Sequence, residues 1–245
     1  MRAIVKLRRP PESGPWPNPP HLDELLTNVQ EVANLAGIHG ELLADKRGRP
    51  RDVEVLHKSA VVLLVACWEA YVEDLASTAF RRLLDKARSP VAFPSSVLTA
   101  ASRPLRASQD ERDVWKLADT GWRDVLREHC NVILARHVGK LNTPKPDQVD
   151  SLFEQLLGLS SLSSSWHWKG ASVTRNKRRL EQLITLRGEI AHRVRASRGV
   201  RKTDAAMYYH FVWGLAVTSS NRVADFLKPL LGDYPWKSAG YGGIG

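Results

Sequence analysis

The stretch from about Val53 to Ala87, VEVLHKSAVVLLVACWEAYVEDLASTAFRRLLDKA, is helical in pattern and apolar on nearly every side through its middle. A helix of that kind cannot lie on a protein surface, because it has no face to give to water. It must be surrounded, and the rest of the chain has to supply the cover. From His21, LDELLTNVQEVANLAGIHGELLA repeats apolar residues at three- and four-residue steps until DKRGRPRD breaks the pattern. Residues 95 to 141 read as further helix in two or three pieces. A short helix after the prolyl stretch NTPKP places Leu152, Phe153, Leu156 and Leu157 on one face. Two more helices follow, about Val173 to Ala196 and about Thr203 to Leu231, after a serine-rich connection, SSLSSSWHWKG. Period-two alternation is nearly absent. These patterns predict an all-α bundle with a long central helix and extra helices around it. They place a single domain at 21–231, preceded by an extended arm (1–20) with six prolines and followed by a flexible glycine-rich tail at 232–245.

A chain of 245 residues can bury a substantial core, and its formal charge of +10 favours a polyanionic partner, nucleic acid before membrane. Cys67 and Cys130 sit in apolar helical patterns, which predicts buried thiols and a reducing compartment. The apolar run AVVLLVACW falls short of the roughly 20 residues a bilayer requires. The N-terminus lacks a sustained apolar signal core. The expectation is a cytoplasmic protein with no membrane association. Phosphate-cradling glycine loops, HExxH, CxxC and a nucleophile elbow are all missing, and the eight histidines have no metal-ligand spacing. No cofactor is therefore expected.

What remains are polar residues set into apolar helices. LITLRGEIAHRVR carries Arg187 and His192 on a strongly periodic helix, with Leu183, Ile184, Leu186 and Ile190 on the buried side. At 100° per residue the two are roughly 140° apart, so they flank a groove rather than share a narrow face. Two copies of the helix meeting across a symmetry axis would pool them. Gly188 between them costs about 1 kcal/mol relative to alanine, which close helix approach or a bend would explain. Glu69 interrupts ACWEAYVEDLA and Glu73 follows one turn later. Near a core such carboxylates need a partner. Arg187 is a candidate partner for Glu69, either as an ion pair fixing two helices or as an arginine that the acid orients. Basic side chains crowd the same region. Arg178, Arg179, Arg193 and Arg195 are candidates to track an RNA backbone, against the plainer reading of a solvated helix face. Among the eight tryptophans, Trp68, Trp115, Trp122 and Trp213 read as core or interface, while Trp166 and Trp168 read as loop anchors or, less simply, as base-stacking rings.

Taken together, RGEIAH on a late helix, the VVLLVACWEAYVEDL central helix and the TPKPDQVDSLFEQLLGL segment resemble the HEPN superfamily, in the layout of its RiboL-PSP-HEPN subgroup, over about residues 22 to 230. The resemblance implies catalytic roles for Arg187 and His192 and a homodimer with a composite cleft. It also implies a metal-independent endoribonuclease, a toxin or phage-defence effector with an antitoxin or other regulatory partner. In many active members a polar residue follows the arginine, whereas Gly188 stands there in this chain, leaving Glu189 as a substitute. Non-catalytic HEPN bundles that bind RNA or assemble with proteins are the alternative. The imidazole of His192 suits proton transfer, and the Arg187 fork suits phosphoryl oxygens.

Overall fold

The computed structural model describes residues 18–42, 54–139, 141–193, 200 and 202–240, and the side chains at 36–42, 193 and 202–205 are outside that description. Seven α-helices account for most of it: α1 (Pro20–Leu42), α2 (Glu54–Lys86), α3 (Ser95–Ala107), α4 (Gly121–His137), α5 (Pro146–Leu157), α6 (Val173–Arg193) and α7 (Lys202–Leu231). Short 3-10 turns at Pro90–Ala92, Glu111–Leu117 and Leu162–Ser165 join some of them. No strand occurs among the described residues, only an isolated bridge between Trp168 and Ala171. The fold is all-α, as the sequence patterns predict.

α2 is the centre, and fifteen of its residues are buried, from His57 to Leu84. α1 and α7 cover it most extensively, followed by α6, α5 and α4. The short run AVVLLVACW understates this helix, because α2 as a whole is long and apolar enough to cross a bilayer by length and composition. Within the fold most of its apolar side chains pack on neighbouring helices instead, with Val55 and Leu63 left exposed. Both cysteines are free and buried.

The centre of the bundle is tied by polar atoms on large rings. The Trp68 indole donates to the Pro144 carbonyl at 3.1 Å, and the Tyr71 hydroxyl donates to the Ala216 carbonyl at 2.6 Å. Trp166, fully buried, packs edge-on against Trp68 and donates to Ser219 Oγ at 2.8 Å. Trp166 is thus a loop anchor, and Trp168 packs beside Phe211. Each ring contributes a large apolar area while its one polar atom is satisfied. Trp122 and Trp213 are also buried, whereas Trp115, 74% exposed on the 3-10 turn, is not part of the core. A helical pattern places it on a covered face, and the irregular turn removes that face.

The C-terminal segment departs further from expectation. Gly232 takes φ +86°, a left-handed turn that ends α7. Residues 233–240, expected to be part of a flexible tail, return along the bundle. Arg82 donates twice to the Pro235 carbonyl (3.3 and 3.1 Å), Trp236 donates to the Ser220 carbonyl, and Asn221 exchanges two hydrogen bonds with Ala239. Composition suggests disorder, but one tryptophan and an amide on α7 outweigh the glycines.

His21 closes the same corner. It is 1% exposed, with Nε2 2.9 Å from Ser220 Oγ and its ring edge-on to Trp236 at 4.9 Å. Its Nδ1 is buried without a hydrogen-bond partner. Burial lowers the imidazole from 6.5 to about 4. The unfolded chain therefore takes up a proton here that the folded chain refuses, so stability falls as pH drops below 6.5. Between pH 7 and pH 5 this residue alone should remove about 2 kcal/mol. Urea unfolding at the two pH values should show that loss in the parent and a loss smaller by about that amount in His21→Gln. Equal losses would mean that His21 titrates normally in the fold.

Candidate functional site

α6 runs antiparallel to α2. Its first turns lie beside the Trp68–Trp166 pair, where Asn176 donates to the Trp166 carbonyl at 3.0 Å. Beyond its far end, the Val200 amide meets Glu54 at the start of α2. The side of α6 that faces α2 carries Leu180, Leu183, Ile184, Leu186 and Ile190, all buried. Arg187 lies one turn beyond Leu183 and is half-buried, while His192 is exposed, turned about 140° away. On a regular helix that angle points the two side chains apart. Among the described residues neither forms a hydrogen bond or ion pair, so an unpaired guanidinium and an imidazole flank the same end of the bundle.

Gly188 lies between them, and a Cβ built on it meets nothing within 4 Å. Packing among the described residues therefore does not require the glycine. Glu189 is half-buried and engaged in an interaction of its own.

The expected link between Glu69 and Arg187 is absent. Glu69 Oε2 instead accepts from the Thr143 amide at 3.2 Å, fixing the turn between α4 and α5, where Thr143 has φ +49°. The reason is axial register. Glu69 stands next to Trp68 at the level of Asn176, and Arg187 lies about 16 Å of helix rise further along α6. Glu73 is likewise remote from Arg187. Burial, then the Glu69 and Asp74 carboxylates, raise its pKa, and burial with Glu24 raises that of Asp74. These acids form a local α1–α2 cluster. Among the described residues no group of three or more His, Cys, Asp or Glu converges as a metal-ligand set.

The basic candidates also separate. Arg178 is exposed and makes no ion pair among the described residues. Arg179 turns toward α7: its guanidinium lies over Phe211 (4.8 Å) and Tyr208 (5.7 Å) and donates to the Met207 carbonyl at 3.2 Å. Lys177 reaches Asp150 on α5 at 3.8 Å. The side chain of Arg193 and the whole of Arg195 lie outside the described residues. Sequence alone could not separate Arg178 from Arg179, since the rings that receive Arg179 come from another helix. The cation–π stacking and hydrogen bond should make Arg179→Ala destabilising by about 1–2 kcal/mol. Arg178→Ala should change stability by less than about 0.5 kcal/mol. Denaturation of the two variants side by side checks this, and equal stabilities would contradict the packing role.

The end of α6 thus presents an arginine and a histidine five residues apart, both unpaired, on an all-α bundle built around one apolar helix. A family model described as RiboL-PSP-HEPN matches residues 23–225 and so spans both α2 and the α6 pair. Comparison with curated proteins and with solved structures gave no match. With most of its length covered by that model, this chain belongs to the RiboL-PSP-HEPN family of the HEPN superfamily.

Proposed function

We propose that the protein is a metal-independent endoribonuclease whose catalytic residues are Arg187 and His192, acting in a homodimer. The observation that carries the reading is the unpaired Arg187–His192 end of α6 in a chain of this family. An arginine held beside a core with no carboxylate partner among the described residues has its guanidinium donors available to an incoming anion. RNA supplies its own nucleophile, the 2′-hydroxyl, which attacks the adjacent phosphate and expels the 5′-oxygen. His192 exchanges the proton, and Arg187 offsets charge on the phosphorane oxygens. A toxin or phage-defence role, kept in check by an antitoxin or another regulatory protein, extends this reading, as does a cytoplasmic location.

The two side chains diverge on one helix, so a working cleft takes them from two copies of α6. Gly188 supports that arrangement, because its open surface lets a second backbone approach. The same glycine favours a second reading, a HEPN bundle that binds RNA or assembles with a protein without cutting.

With EDTA present, Arg187→Ala and His192→Ala should each lower the rate of RNA cutting by about 10²- to 10⁴-fold while leaving helical content unchanged. Parental rates in either variant would remove the proposed site, and an inactive parent over several RNA substrates would leave the binding module. Gly188→Ala should stabilise the isolated chain by about 0.5–1 kcal/mol, since the added methyl meets nothing. Gly188→Leu should shift the protein from dimer toward monomer in light scattering. A dimer unaffected by leucine would place the interface elsewhere.

A further inference from the structure

On another side of the bundle, α3, the end of α4 and α5 enclose an open cleft of about 870 Å³. That size suits a ligand rather than a packing flaw. α5 divides the cleft from α6: Asp147, Ser151 and Leu152 face the cleft, whereas Asp150 faces Lys177 and Ser163. It is therefore a different place from the Arg187–His192 end.

Its charge is lopsided. Arg103 and Arg106 come from α3 and Arg136 from α4, against the single carboxylate of Asp147. None of the three guanidinium groups forms an ion pair among the described residues, and Arg106 only donates to the Thr99 carbonyl of its own helix at 3.3 Å. Like charges gathered in a concavity repel one another unless an anion joins them. The walls add hydroxyls from Ser95, Thr99 and Ser151, and the apolar floor is confined to Ala100, Leu141 and Leu152.

We propose that this cleft is an auxiliary RNA-binding track that holds the sugar–phosphate backbone of a strand whose scissile bond lies at the α6 site. The chemistry favours a backbone over other anions. Guanidinium forks match phosphate oxygens two at a time, and hydroxyls suit ribose and phosphate alike. Among the described residues no phenylalanine, tyrosine or tryptophan lines the cleft, whose one ring is the His137 imidazole, so it offers no broad platform for stacking bases and the contact is made to the backbone. An acidic peptide held in a groove takes larger apolar anchors than this floor offers.

This proposal rests on the nuclease reading, and its test separates the two. The probe is a fluorescent single-stranded RNA read by anisotropy, with His192→Ala as the reference protein so that the strand stays intact. Adding Arg103→Gln and Arg136→Gln should weaken binding about tenfold or more at low salt. It should also reduce the slope of log affinity against log salt by roughly 1.4, about 0.7 for each phosphate no longer neutralised. Both arginines are exposed and make no side-chain bond among the described residues, so circular dichroism should be unchanged.

If RNA affinity and salt slope stay the same while the parent still cuts RNA, the cleft proposal fails and the nuclease reading stands. A parent that neither binds nor cuts RNA overturns both. If the double substitution abolishes binding of a polyglutamate peptide but leaves RNA binding intact, the cleft belongs to a protein partner and the proposal is overturned.

Discussion

Everything in this fold follows from the need to cover α2. A helix with so many apolar side chains loses stability for every one left in water, and full burial of one leucine- or phenylalanine-sized side chain contributes roughly 1.5–3 kcal/mol. Leu64, Leu75, Phe80 and Leu83 are all fully or almost fully buried. That demand places α1, α6 and α7 along the length of α2 and fixes α6 antiparallel to it. The end of α6 then lies at the start of α2, away from the polar-aromatic belt. The site position is a consequence of core packing.

The belt performs the complementary task. Tyr71, Trp166, His21 and Trp236 all bond to α7 between Ala216 and Ser220. These bonds fix the axial register of α1, α2, the α5–α6 connection and the C-terminal segment against one helix. Apolar contacts alone would tolerate sliding by a turn, and hydrogen bonds in a low-dielectric core would not. Register in turn decides which charges meet. Glu69 is committed to Thr143, and among the described residues Arg187 is left without a carboxylate.

Much of this is legible in the sequence because helical periodicity is a local signal. The α2 boundaries from pattern, Val53 to Ala87, differ from those observed by one residue at each end. The Arg187–His192 spacing is also readable, being a property of one helix. What is not readable depends on partners distant in the chain. Glu69 and Arg187 both interrupt apolar faces, which suggests a pair, but pattern carries no axial register. Arg179 looks like Arg178 until Tyr208 and Phe211 are brought beside it. Trp236 and Asn221 hold residues 233–240 through bonds that glycine content does not report. The cleft is invisible for the same reason, since Arg103 and Arg106 meet Arg136 only after α3 and α4 pack.

A fixed scaffold carries two side chains that diverge from one helix end. In the proposed reaction the RNA 2′-hydroxyl is the nucleophile, with Arg187 and His192 supplying charge and proton transfer. The most direct measurement is the identity of the ends left on RNA cut by the purified protein in EDTA. The account predicts a 2′,3′-cyclic phosphate on one fragment and a 5′-hydroxyl on the other. Fragments bearing 3′-hydroxyl and 5′-phosphate ends, or cutting that appears only on adding a divalent metal, would contradict it.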